Sequence, residues 1–84
     1  MNKRLSEPLV VTLQPEKIEH EQLVVDHLLA GRVVIVDFRK TDAETARRII
    51  SFLEGALYGV SGEMLRLRED LILLVPGGML YKGP

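Results

Sequence analysis

Cysteine is absent from the sequence, which excludes disulfide scaffolds, thiolate metal sites and cysteine nucleophiles together. A basic excess is absent as well. Eleven Lys and Arg stand against twelve Asp and Glu, a net charge of -1, so nothing favours non-specific binding to a phosphate backbone. Aromatic residues make up only 5% of the chain, too few to supply exposed stacking platforms, and a nucleic-acid binder is disfavoured on both counts. Long apolar runs are missing too: the longest, residues 33–36 and 71–75, are strand-length and cannot span a membrane as helices. Met1-Asn2-Lys3-Arg4-Leu5 has no apolar stretch behind its charges and does not read as a signal peptide. A soluble cytoplasmic protein is the expectation.

What is present fits one small domain. The chain has 84 residues, of which 46% are apolar, ample for a core and too many for a disordered adaptor. A domain of this size buries a modest share of its surface and has a thin stability margin. Burying part of its apolar surface against a partner would widen that margin, which favours an oligomer.

Residues 1–8 read as a flexible N-terminal segment and residues 9–84 as the domain. Leu9-Val10-Val11-Thr12-Leu13 is rich in β-branched residues and predicts a strand that stops at Gln14-Pro15. Pro15 is expected to open a helix with Ile18, Leu23, Val24, His27 and Leu28 on its inner side, ending at Gly31. Val33-Val34-Ile35-Val36-Asp37-Phe38 predicts a strand covered on both faces, and strand-helix-strand with short links implies a parallel crossover. Thr41-Asp42-Ala43-Glu44 has capping-box spacing and starts a second helix reaching Tyr58 or Val60, with Ala46, Ile49, Ile50, Leu53, Ala56, Leu57 and Val60 as its apolar stripe. Residues 64–68 alternate as an exposed strand, Glu69-Asp70 turns, and residues 71–75 return as a buried strand. Pro76-Gly77-Gly78 breaks it, and Met79-Leu80-Tyr81 suggests one more edge strand. The expected fold is an α/β two-layer sandwich, β-α-β-α-β-β(-β), with two helices stacked on one mixed sheet in a homodimer.

Ser51, Gly55 and Gly59 recur at intervals of four on the second helix and so share one stripe. Each internal glycine costs a helix roughly 0.5–1 kcal/mol relative to alanine. A groove of small side chains lets another backbone come close, and the dispersion contacts can offset that cost. The partner could be the first helix, the sheet, or the same helix of a second copy in a two-fold contact. The alternative is that Gly55 already ends the helix and Gly59 lies in the following loop. Arg47-Arg48 flank this stripe, with Arg48 one turn before Phe52, a cation beside an aromatic that suits a peptide with apolar and acidic groups. A solvated charged face with Phe52 in the core is the blander reading.

Other motifs carry little. His20 and His27 are seven apart with Glu16 or Glu19 nearby, yet a third metal ligand is lacking. Gly77-Gly78 and Gly59-x-x-Gly62 do not stand between a strand and a helix as phosphate loops do. Ser51 and Ser61 lack a histidine base, and of Asp37, Asp42 and Glu44, which could gather carboxylates at the end of the second strand, two are better explained by a helix start. No enzyme, cofactor or metal is expected.

The stretch Ala46-Arg47-Arg48-Ile49-Ile50-Ser51-Phe52-Leu53-Glu54-Gly55-Ala56-Leu57-Tyr58-Gly59-Val60-Ser61-Gly62 resembles the signature helix of the SepF family, A-x-R-I-x-D-F-L-x-G-A-x-Y-A-x-x-G. A Gly-Arg-Val-Val-Ile-Val strand before it (31–36), an Asp-Leu-Ile-Leu-x-x-Pro-like strand after it (70–76) and Asp-His-Leu-x-x-Gly upstream (26–31) extend the resemblance over residues 9–76. The resemblance implies a compact α/β domain whose dimers assemble further. It implies a non-enzymatic adaptor that binds the C-terminal tail of the division GTPase FtsZ, tethers the division ring to the membrane and helps assemble the septum. Such a protein works in the cytoplasm, at the division site on the inner face of the membrane. Self-association would use Ser51, Gly55, Ala56 and Gly59, with Gly55 at the family's glycine; the peptide would use Arg47, Arg48 and Phe52. Full-length members add an N-terminal amphipathic membrane-targeting helix, for which residues 1–8 are too short and polar, so the membrane would be reached indirectly or through a helix not present here. Four positions depart from the pattern: Ser51 replaces aspartate, Asp37-Phe38 replaces Asn-Leu, and Gly59 replaces alanine. The competing expectation is a small-ligand-sensing regulatory domain of ACT-like or ferredoxin-like type, with Phe38-Arg39-Lys40-Thr41-Asp42 as its ligand loop.

Overall fold

The computed structural model describes residues 9–77, and the predicted strand at residues 79–81 and the segment 1–8 lie outside them. Four strands, β1 (Val10–Leu13), β2 (Val33–Asp37), β3 (Glu63–Arg68) and β4 (Leu71–Val75), form one sheet in the order β1-β2-β4-β3. β1 and β2 pair in parallel, whereas β2–β4 and β3–β4 are antiparallel, so the sheet is mixed. Helices α1 (Glu21–Leu29) and α2 (Ala43–Gly59) are the connections from β1 to β2 and from β2 to β3.

Both helices share one core with the sheet. Val24 and Leu28 of α1 and Ile49, Leu53 and Leu57 of α2 bury against Val34, Val36, Ile72 and Leu74, the alternate residues of β2 and β4. The other face of the sheet has no layer of described residues over it. The register lines up Thr12, Ile35, Leu73 and Leu65 there. Ile35 and Leu73 are half-buried, and Leu65 is exposed. The expectation that β2 is covered on both faces is therefore corrected. Its apolar run is continuous, but α1 and α2 pack on the same side.

Helix boundaries follow local chemistry. Pro15 is buried ahead of the helix instead of starting it: the Glu16 N–H donates to His20 Nδ1 at 3.0 Å, and helical structure begins only with a 3-10 turn at Ile18–His20. Leu23 faces outward, contrary to its expected place on the inner side. α2 is capped by Asp42, not by Thr41: the Asp42 carboxylate accepts from the Thr45 N–H at 2.8 Å, which holds its pKa below the ordinary value. The Thr41 hydroxyl donates instead to the main-chain oxygen of Pro15, tying the start of α2 to the end of β1.

Both helices end in the same six-residue pattern. At α1, Arg32 N–H donates to His27 O and Gly31 N–H to Leu28 O, with Gly31 at φ 86°. At α2, Gly62 N–H donates to Leu57 O and Ser61 N–H to Tyr58 O, with Ser61 at φ 59°. A serine thus occupies the left-handed position that a glycine fills in α1, at a steric cost. The next residue, Gly62, has no room for a side chain: a Cβ there would stand 2.5 Å from Leu57 Cδ2 and 2.8 Å from the Val75 carbonyl oxygen.

The β2–α2 loop is clamped by Asp37, whose carboxylate accepts four hydrogen bonds from Arg39: from its N–H at 3.0 Å, from Nε at 3.0 and 3.1 Å, and from Nη2 at 2.8 Å. Gln14 Nε2 adds one at 3.0 Å from the end of β1. The Arg39 side-chain bonds, then its backbone N–H, then Gln14 hold the Asp37 carboxyl well below its ordinary value of 3.8, against the opposing effect of burial.

Two outcomes are expected. Ser61→Gly should raise stability by about 0.5–1 kcal/mol while Gly62→Ala lowers it by about 1–3 kcal/mol, both read from urea unfolding midpoints at constant slope. A depressed carboxyl stabilises the fold above its unfolded value and loses that contribution as pH falls through the folded one. The melting temperature of the wild type should therefore fall more steeply from about pH 4 to about pH 2 than that of Asp37→Asn, and parallel profiles would remove the clamp from the stability argument.

Candidate functional site

Burial of Ile49, Leu53 and Leu57 turns the opposite side of α2 to solvent. Arg48, Ser51, Phe52, Gly55 and Gly59 all lie on that side and are exposed. The helix runs unbroken through Gly55 to Gly59, which overturns the alternative that Gly55 ends it. Among the described residues, a Cβ built at Gly55 or Gly59 would meet nothing within 4 Å. Among the described residues, neither α1 nor the sheet uses the small-residue stripe. Phe52 is 40% exposed, so the reading that buries it in the core is corrected, and Tyr58 is 89% exposed beside Gly55. Ala56 is half-buried at the edge of the stripe.

Arg47 leaves this stripe and lines a groove of about 330 Å³ between α2 and the β3–β4 turn. One wall is Ala43, Ala46, Arg47 and Ile50 of α2; Phe38 and Thr41 of the clamped loop close one end; Arg66, Glu69 and Asp70 form the far wall. Phe38 is fixed there by the Asp37 clamp on one side and by its own N–H, which donates to Asp70 O at 2.8 Å. Arg66 Nη1 donates to Glu69 O at 3.0 Å, and Arg68 Nε stands 3.7 Å from Asp70 Oδ1. The three residues expected to meet a peptide are thus divided: Arg48 and Phe52 on the outward stripe, Arg47 in the groove.

The far wall was not anticipated from the sequence. Its signal was strand parity: Arg66 is two residues from Met64, which packs on the core, and it pairs with Ile72, which is fully buried. An arginine on the helix-facing side of an edge strand must emerge beside the helix layer. A second, smaller hollow of about 210 Å³ lies between Leu13, Gln14, Pro15 and the Leu23–Val24 turn of α1.

The histidines do not form a site. His20 Nδ1 is occupied by the Glu16 N–H, and His27 Nδ1 lies 3.4 Å from Arg32 Nη1. No group of three or more potential metal ligands stands together among the described residues. Nor does any helix among them have the length and apolarity to cross a membrane.

Comparison with known proteins identifies the lineage. The family model described as "Cell division protein SepF" matches residues 10–80. The cell division protein SepF of Symbiobacterium thermophilum is 34% identical over 70 residues, covering 83% of this chain and 34% of that protein. That of Bacillus subtilis is 31% identical over 74 residues, covering 88% and 49%. The chain therefore spans about a third to a half of the length of these relatives. The fold matches a solved SepF-like protein from Archaeoglobus fulgidus with a TM-score of 0.77 at 19% identity, over 83% of this chain and 87% of that one. A SepF-like protein from Pyrococcus furiosus gives 0.73 at 17% identity, over 84% and 89%. These matches go against the ligand-sensing alternative, whose expected loop is taken up by the Asp37 clamp and the Thr41 tie. With the family match spanning residues 10–80 and the two-helix, four-strand fold shared, the chain belongs to the SepF family of cell division proteins.

Proposed function

We propose that this domain is a non-enzymatic adaptor that self-associates through the outward stripe of α2 and binds the C-terminal tail of FtsZ. The observation that carries the reading is the small-residue stripe itself. Gly55 sits inside α2 and Gly59 at its last residue, beside exposed Phe52 and Tyr58, with no described atom near where a Cβ would stand. A second α2 can approach closely along Ser51, Gly55, Ala56 and Gly59, and burial of the aromatics adds to the contact. The tail docks with Arg47 in the groove and reaches Arg48 and Phe52 on the outward stripe, where they also lie beside the second copy. Each contact is weak, and a dimer or longer assembly multiplies it along an FtsZ filament. The reading places the protein in the cytoplasm at the division site, on the inner face of the membrane, with tethering indirect or through a segment beyond this domain. It requires no cofactor, metal or catalytic step.

Titrating a fluorescent FtsZ C-terminal peptide against the domain, with light scattering for its mass, tests both halves. Expected is a dimer that binds the peptide and loses binding in Phe52→Ala while staying folded; a monomer that binds no peptide sinks the proposal. Gly55→Leu gives a sharper test of the stripe. Its helix should be more stable by roughly 0.5–1 kcal/mol, since leucine is the better helix former and the position is open. The scattering mass should nevertheless fall to that of a monomer. A dimer that survives would move self-association to the open face of the sheet.

A further inference from the structure

We propose that Ser51 is a phosphorylation site. A protein kinase that reads arginine ahead of serine transfers a phosphoryl group to its hydroxyl, and the group, held by Arg47 and Arg48, opposes self-association along α2. The regulatory half rests on the self-association reading; the site itself does not.

Ser51 is exposed, and among the described residues its hydroxyl has no hydrogen-bond partner. The other described serine and threonine hydroxyls are placed differently. Those of Thr41 and Thr45 are engaged, one by Pro15 O and the other by the Asp42 carboxylate. Thr12 lies on β1 and Ser61 in the left-handed position after α2, and neither has an arginine three or four residues before it. Ser51 has one at each distance, Arg48 and Arg47, a pair that an acidic substrate cleft can hold. On the helix the same spacing brackets Ser51 with a guanidinium on either side. Among the described residues, neither guanidinium has a hydrogen-bond or ion-pair partner. Glu54, one turn further on, opposes with one charge against two.

In the transfer, Ser51 Oγ forms a bond to the γ-phosphorus of a nucleoside triphosphate, and the bond from that phosphorus to the β–γ bridging oxygen breaks. The diphosphate leaves, and the hydroxyl proton passes to the base of the kinase. The chain is taken up during local openings of α2, which a domain of thin margin undergoes at equilibrium. The product carries about two negative charges and three acceptor oxygens, which Arg47 and Arg48 hold by charge-assisted hydrogen bonds. A bulky charged group then stands where a second backbone has to come close, and in a two-fold contact each copy brings one to the same seam. The aspartate of the family pattern at this position is not its equivalent, having a single charge on a shorter side chain. By reciprocity, a seated second copy covers Ser51 and shields it from the kinase.

Three measurements on the whole chain test this. Incubation with ATP and a protein kinase selective for arginine three residues before serine should add a phosphoryl group that mass spectrometry maps to Ser51, and Arg48→Ala should slow the transfer at least about tenfold. In the chain with genetically encoded phosphoserine at position 51, phosphorus NMR should read the second phosphate pKa at least about 0.3 below its ordinary value of about 6, and Arg47→Ala with Arg48→Ala should restore it. Sedimentation equilibrium of that chain should show self-association at least about tenfold weaker than in the unmodified one. No transfer to Ser51, transfer indifferent to Arg48→Ala, or a phosphate pKa that the arginine substitutions leave unchanged overturns the site. Phosphoserine that leaves self-association as strong as before overturns its regulatory role. An unmodified chain that stays monomeric sinks the self-association reading and the regulatory half with it, while the transfer and the phosphate pKa still decide the site.

Discussion

Ile49, Leu53 and Leu57 lie at 0–3% exposure, and their packing on Val34, Val36, Ile72 and Leu74 sets the rotation of α2. Truncating any one of them would cost about 2–5 kcal/mol, against a net stability of about 5–15 kcal/mol for a typical domain. The helix therefore has no freedom to roll. At 3.6 residues per turn, once these three face the sheet, Arg48, Ser51, Phe52, Gly55 and Gly59 must face away, and Arg47 and Ile50 must face the β3–β4 turn. Both candidate surfaces are consequences of one buried stripe.

That geometry gives the glycines their meaning. Gly55, inside α2, costs it about 0.5–1 kcal/mol relative to alanine, and Gly59 stands at its last residue. Gly31 and Gly62 are explained within the chain, one by its positive φ and the other by the Val75 carbonyl and Leu57 side chain that crowd it. Gly55 and Gly59 have neither reason, since their backbone is helical and their surroundings are open. No contact among the described residues offsets the cost, and on the proposed reading the offset comes from a second copy.

Much of the fold was legible because it is written in local periodicity. The stripe of α2, the stop at Gly31 and the strands at 63–68 and 71–75 are each set by residues within one or two turns of one another. The errors arose where distant parts compete for the same group. Thr41 fits a capping box by spacing, yet its hydroxyl goes to Pro15, 26 residues away, and Asp42 takes the cap. Residues 33–38 have the composition of a doubly covered strand, but composition cannot tell on which side the two helices fall. The groove was least legible. It needs residues 38–50 to meet residues 66–70, a meeting set by the antiparallel register of β3 on β4 and by the clamp from Gln14 to Asp37 to Arg39. Ser51, Gly55 and Gly59 share the outward side of α2 because helix phase alone decides that. Arg47 was separated from Arg48 and Phe52 because a groove wall, which phase does not predict, lies on its side.

The division between Arg47 and Arg48 bears on how the two proposed activities combine. Successive helix residues point about 100° apart, so a ligand held by Arg47 and a second copy held along Gly55 approach the same helix from different directions. Neither needs to displace the other. Because α2 is pinned to the sheet, seating a partner on one side requires no reorientation of the other, and association can multiply weak peptide contacts without altering each contact. The coupling expected of such an arrangement is one of effective concentration, with the intrinsic affinity of each groove unchanged. If instead the outward stripe and the groove shared residues, self-association and peptide binding would compete. On the outward side, Ser51 and Tyr58 are the exposed residues nearest to Arg47 in helix phase, so these two residues decide how far the independence extends.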